Sequence, residues 1–212
     1  MNSDTLKAVL LELAERALPK GFTRDIELPT DSGKVIGLIV PRRCGKTFLF
    51  FATMLRLRQQ GVDPRRILYL NFEDDRLHPR QAAELDLVLR CQRELFEVAR
   101  SGKLYLFLDE VQAAPGWERW VRRLHDTEDI SIFVTGSSSS RLLNRDLSTT
   151  MRGRSISLEV LPLSFREFLR FRRIEHVPHD ARSEICVRAA FAEFVQQGGL
   201  PKSCSPAPSC AR

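Results

Sequence analysis

The chain has 212 residues, 43% of them hydrophobic and 28% charged, which suits one packed domain and is too apolar for a disordered chain. Eleven glycines exclude collagen, and five cysteines without paired spacing indicate neither a disulfide framework nor a zinc site. The net charge of +6 admits an anionic partner without requiring one.

Residues 2–18 predict an amphipathic helix, with Leu6, Val9, Leu10, Leu13 and Ala17 at helical spacing and Asp4 as the candidate cap. Lys7, Glu12, Glu15 and Arg16 interrupt its apolar face, so it is no secretory leader and a cytoplasmic protein is expected. The longest apolar run, 48–55, lies between Lys46 and Arg56 and is far short of the ~20 residues that cross a bilayer, so no membrane partner is expected. Pro29, Asp31, Ser32 and Gly33 supply turn chemistry before the first strand, 35–40. Its continuous apolar character suits a parallel strand buried on both faces.

A helix over 48–60 follows, then a strand over 66–72. A long helix is predicted over 81–100, with Leu85, Val88, Leu89, Leu95, Phe96 and Ala99 on one stripe. A strand over 104–108, a helix over 117–125 and a strand over 130–135 come next. A helix over 138–147, a strand over 155–160 and helices over 163–172 and 181–197 complete the pattern. Strand alternating with helix in this way predicts an α/β fold with a five-stranded parallel sheet between helices and additional C-terminal helices. Residues 203–212 have no period and no large apolar side chain, and are expected to be disordered.

The first strand runs into Pro41-Arg42-Arg43-Cys44-Gly45-Lys46-Thr47 and then a helix, the context a phosphate-binding loop requires. Backbone N–H groups of such a loop converge on an anion. Arg42, Arg43, Cys44, Gly45, Lys46, Thr47 and Phe48 are therefore the candidate nucleotide-binding residues. Lys46 would reach the β- and γ-phosphates of ATP, and the Thr47 hydroxyl would bind Mg2+. Val40 stands where the usual pattern has Gly, and a residue before Pro is pushed to extended backbone, so the loop must leave the strand with Val40 extended. Cys44, beside Lys46 and oriented N–H groups, has two readings. One is a thiol of lowered pKa whose oxidation blocks nucleotide; the other is a passive small residue.

The strand over 104–108 ends in Asp109-Glu110. Asp109 at this position would hold Mg2+, and Glu110 would polarise the attacking water. The strand over 130–135 ends in hydroxyls, and Thr135 or Ser137 would sense the γ-phosphate. Glu73, Asp74 and Asp75 after the second strand have two readings: carboxylates that approach the metal or a neighbouring subunit, and, more commonly, an acidic loop. Trp117 and Trp120, three apart on a helix, read as core.

At PRRCGKTFLF, ILYLNFEDDRL, LYLFLDEVQAAPGWERWVRRL, IFVTGSSSSRLL, MRGRSISLEVLPLSFREFL and FVQQGGLP, over roughly 34–201, the sequence resembles the AAA-type P-loop ATPases of bacteria and archaea that carry a C-terminal domain of unknown function. The resemblance implies an AAA+-like P-loop NTPase core, with the phosphate-loop strand between the fifth strand and the one ending in Thr135. It also implies ATP with Mg2+, Glu110 as catalytic base, and an arginine before the last strand that reaches a neighbour's nucleotide in a homo-oligomer. Arg152 and Arg154 are candidates for that arginine, Arg154 first because it stands in the Gly-Arg pair. The expected organisation is an N-terminal helical segment over 1–30, the ATPase core over 31–160, and a helical segment over 161–201 leading to a C-terminal domain that relatives have. The tail over 202–212 reads as the product of truncation or a frameshift.

The function expected is Mg-dependent hydrolysis of ATP to ADP and phosphate, coupled to an unidentified partner or domain. One alternative is a nucleotide-binding module without significant turnover. Another is nucleic-acid binding through the basic stretch 141–173, where eight arginines face Asp146, Glu159 and Glu167. The bland reading of that stretch is a solvated surface in an arginine-rich chain, since only six of the 33 basic residues are Lys.

Overall fold

The computed structural model describes residues 1–19, 22, 24–41, 44–136, 149 and 151–200. Five strands form one sheet: β1 (Val35–Ile39), β2 (Ile67–Asn71), β3 (Leu104–Asp109), β4 (Ile130–Thr135) and β5 (Ser155–Glu159). Their order is β2-β3-β4-β1-β5, and every pairing is parallel. The phosphate-loop strand therefore lies between β4 and β5, as the resemblance implies. Because all five strands run the same way, Ile39, Asn71, Asp109, Thr135 and Glu159 end on one edge of the sheet. In such sheets that edge is where ligands bind.

Alternation along the strands divides the interior. Leu104, Leu106 and Leu108 of β3 face a cluster with α1 (Ser3–Glu15), α3 (Leu87–Leu95) and α4 (Trp117–Thr127), whose Trp117 and Trp120 are core residues. Tyr105 and Phe107 face the other side, with Leu49, Phe50, Met54 and Leu57 of α2 (Lys46–Gln59). Phe107 stacks on Phe133 at a centroid distance of 4.5 Å and meets Phe50 edge-on at 5.2 Å. Two further helices, α5 (Phe165–Phe171) and α6 (Ala181–Gln197), pair through Phe168, Ala190 and Phe194. The backbone then returns to the sheet end: Leu163 N–H donates to Gly199 O at 2.7 Å. A Cβ on residue 199 would stand 2.3 Å from Leu163 O, so only glycine allows this approach.

Several expected elements differ in detail. The cap of α1 is Asn2, whose side chain accepts from Asp4 N–H at 3.0 Å; Asp4 lies inside the helix. The helix expected over 81–100 is broken. A 3-10 turn (Ala82–Asp86) leads into α3, Phe96 takes extended backbone (φ −129°, ψ 113°), and a second 3-10 turn (Glu97–Arg100) follows. The apolar stripe is real, but the kink at Phe96 lets Ala99 reach the same cluster as Val88 and Leu89. The helix expected over 138–147 and the tail over 202–212 lie outside the described residues.

Candidate functional site

Gly45 begins the site. Its φ of 84° lies in the left-handed region, and it serves as N-cap of α2. That places Lys46 and Thr47 in the first helical turn, two residues earlier than the apolar pattern implies. Free N–H groups at a helix start attract anions. Val40 is buried in the α2-side cluster and has no positive φ. The chain instead turns within the loop, where Cys44 N–H donates to Pro41 O at 3.3 Å. At the position of the missing glycine, Val40 therefore needs no left-handed backbone.

Asp109 and Glu110 are both buried at the end of β3. Thr47 Oγ1 donates to Asp109 Oδ2 at 2.8 Å, and Tyr69 Oη on neighbouring β2 donates to the same oxygen at 3.2 Å. Burial, then the Asp109 charge, pushes the Tyr69 phenol up, so it stays a donor. Asp109 Oδ1 is buried and accepts no hydrogen bond among the described residues; Lys46 Nζ stands 3.7 Å away. An orphaned carboxylate oxygen beside a threonine hydroxyl fits a hydrated magnesium ion, which takes few protein ligands and keeps its waters.

Lys46 also forms an ion pair with Glu110 Oε1. Glu110 Oε2 accepts from Gln112 Nε2 at 2.7 Å. Glu110 itself has left-handed backbone (φ 56°, ψ 46°), which costs a non-glycine residue free energy and concentrates at functional positions. The turn swings its carboxylate across to Lys46 rather than along the strand.

The structure brings Gly45, Lys46, Thr47, Asp109 and Glu110 together. Thr135 ends β4 on the same edge, fully buried, and its Oγ1 has no partner among the described residues. Phe48 is exposed on the first turn of α2 and meets Phe51 edge-on. Arg42, Arg43 and Ser137 lie outside the described residues. Arg154 sits at the opposite, N-terminal edge of the sheet, where its Nε donates to Asp126 at 2.8 Å. Within the basic 141–173 stretch, Arg170 pairs with Asp25 and Arg172 with Glu193 as well. Asp74 caps a 3-10 turn through Arg76 N–H, a local structural role.

The reactive reading of Cys44 is corrected. Its thiol is buried in the α2-side cluster, and burial pushes its pKa up against a smaller opposing influence from Arg24. A raised thiol pKa means little thiolate and low reactivity. Cys44 is a small core residue that anchors the loop.

Four residues escaped the sequence reading: Tyr69, Gln112, Arg24 and Glu167. Gln112 has a weak local signal, lying two residues after Glu110. Arg24 and Glu167 have none, being 143 positions apart. Arg24 Nε donates to Glu167 Oε1 at 2.8 Å, Nη1 to Cys44 O at 3.1 Å and Nη2 to Leu161 O at 2.7 Å. Glu167 also accepts from Asp25 N–H at 2.8 Å and Ser164 N–H at 2.9 Å, the latter within the capping box of α5.

Burial alone would raise the Glu167 pKa. Arg24 and the two backbone N–H groups outweigh it and hold the carboxyl down at about 2, against an ordinary 4.5. A depressed carboxylate stabilises the fold fully above its unfolded pKa and loses that contribution as pH falls toward its folded value. Wild type is therefore expected to lose more stability than Glu167→Gln between pH 4.5 and 2.5. Urea midpoints measured across that window check this; parallel curves would refute it.

Comparison with known proteins adds the following. Residues 32–169 match the AAA_14 family model, an AAA domain. The chain is 35% identical over 195 residues to the uncharacterized protein MJ1544 of Methanocaldococcus jannaschii, covering 91% of this chain and 41% of that protein. It is 33% identical over 172 residues to an uncharacterized protein of Haemophilus influenzae, covering 81% of this chain and 40% of that one. The chain thus spans about two fifths of the length of these curated relatives. Among solved structures, it is similar to Caenorhabditis elegans PCH-2 (TM-score 0.48, 14% identity, 89% of this chain and 56% of that one). It is also similar to the Aeropyrum pernix ORC1 protein in complex with DNA (TM-score 0.49, 18% identity, 95% of this chain and 56% of that one).

Proposed function

Because the chain belongs to the AAA_14 family of AAA domains, we propose that it binds ATP with Mg2+ at the C-terminal edge of the sheet and hydrolyses it to ADP and phosphate. The observation that carries this reading is the meeting of Lys46 and Thr47 with Asp109 and Glu110. The N–H groups at the start of α2 and the Lys46 ammonium bind the polyphosphate tail. Thr47 and Asp109 would hold the magnesium ion, which when bound neutralises charge on the phosphates.

In this state Glu110 is engaged by Lys46 and Gln112. A γ-phosphate competes for Lys46 and releases the Glu110 carboxylate to take a proton from the attacking water. Thr135, with its buried hydroxyl uncommitted, donates to the γ-phosphate or that water. Arg154 reaches the nucleotide of a neighbouring copy, which requires it to leave Asp126. Work is delivered to a partner or an attached domain in the cytoplasm, and α5 with α6 is the route by which it leaves the core.

The test compares ATP and ADP affinity and then phosphate release in wild type and Glu110→Gln. The variant is expected to retain nucleotide binding and to lose turnover by about 10²–10⁴-fold. Tight binding with no phosphate release by either protein would instead identify a nucleotide-binding module.

A further inference from the structure

Arg24 belongs to no motif, yet it is the meeting point of the phosphate loop, the segment after β5 and the start of α5. We propose that Arg24 is a positioning residue that presets the Cys44–Gly45 peptide for nucleotide, and that Glu167 places this setting under the control of α5. The inference rests on the ATP-site reading above.

The geometry follows from the planar trans peptide. In one peptide unit the C=O and the N–H point to opposite sides. Arg24 Nη1 holds the Cys44 carbonyl at 3.1 Å, so the Gly45 N–H is turned away from Arg24. That N–H engages no backbone carbonyl among the described residues, and it belongs to the set of loop amides that an anion would bind. Gly45 is also the residue with the most conformational freedom in the loop, and without an external hold this peptide would flip most readily.

The hold is rigid because a guanidinium is planar. Arg24 Nε is fixed by Glu167 and Nη2 by Leu161 O, which fixes the guanidinium plane and with it the directions in which Nη1 can donate. The Arg24 side chain is only 11% exposed and that of Glu167 5%, so water cannot easily replace the contact between them. Glu167 is in turn fixed by Ser164 N–H at the start of α5 and by Asp25 N–H. A displacement of α5 therefore moves Glu167, then Arg24, then the Gly45 amide. A load on the C-terminal helices would reach the nucleotide by this path, and the reverse coupling follows by linkage.

The experiment uses the full chain as Arg24→Lys, Glu167→Gln, the double variant and Lys46→Ala. ATP affinity, turnover at saturating ATP and the Gly45 amide resonance of ligand-free, ¹⁵N-labelled protein are measured in each. Lysine keeps the charge beside Glu167 but cannot span Glu167 and Cys44 O together. Arg24→Lys is expected to weaken ATP binding roughly tenfold, leave saturated turnover unchanged and shift the Gly45 resonance. Glu167→Gln should move both readouts in the same direction by less. The double variant should be no worse than Arg24→Lys alone, as residues acting in series require.

Wild-type ATP affinity and an unmoved Gly45 resonance in Arg24→Lys would overturn the proposal. Should Arg24→Lys not fold, Glu167→Gln decides by the same two readouts. If wild type and Lys46→Ala bind ATP equally poorly, the ATP-site reading is what fails, and the Gly45 resonance still reports whether Arg24 sets that peptide.

Discussion

Lys46→Ala is expected to weaken ATP binding by about two orders of magnitude, since charge-assisted contacts to a polyphosphate are among the strongest available to a side chain. Lys46 is 19% exposed and already rests between Asp109 and Glu110. It is therefore held over the place where the tail would lie and loses little freedom on binding. Its removal also leaves two buried carboxylates facing each other without their cation, which adds repulsion against an incoming phosphate. Arginine should not restore affinity, because its fork is broader than a lysine ammonium and would meet Glu110 first. Titration with a fluorescent ATP analogue reads the effect. Retained tight binding in Lys46→Ala would remove the phosphate-loop assignment.

The second large effect concerns the framework. Phe107→Ala is expected to cost about 3–5 kcal/mol of folding stability, the range for a buried phenylalanine truncated in a packed core. Phe107 is fully buried, stacked on Phe133 and in edge contact with Phe50 of α2. It is also two residues before Asp109 on the same face of β3. The cavity would open beneath the contact between Thr47 and Asp109, so the folded fraction should also bind nucleotide less well. Chemical denaturation gives the stability loss. A change below about 0.5 kcal/mol, the scale of ordinary surface substitutions, would show that the aromatic stack does not support the sheet.

The sheet was legible because strands buried on both faces leave continuous apolar runs. The segments 35–40 and 104–108 carry no charge, and their partners could only be helices. The pairing of the acids with the phosphate loop was legible for a similar reason: Asp109-Glu110 directly follows such a run. The break at Phe96 was not legible, since helical spacing records which residues are buried and not the one backbone torsion that reorients the chain between them. The left-handed conformation of Glu110 has no sequence signature either, because the residue there is not the glycine that such backbone favours. Arg24 and Glu167 are joined only by the fold. A charge pair that far apart in the chain is brought together only by tertiary packing, and no local pattern encodes that.

The all-parallel register has a further consequence for how this chain can vary. Along β3 the side chains alternate between the two halves of the interior, and Asp109 shares parity with Phe107 while Leu108 has the other. Inserting or deleting a single residue within the strand would exchange those roles at every position past the change, leaving a carboxylate in an oily layer and a leucine in the cleft. Changes of length are therefore confined to the connections, and within the strands descent can proceed only by exchanging one side chain for another.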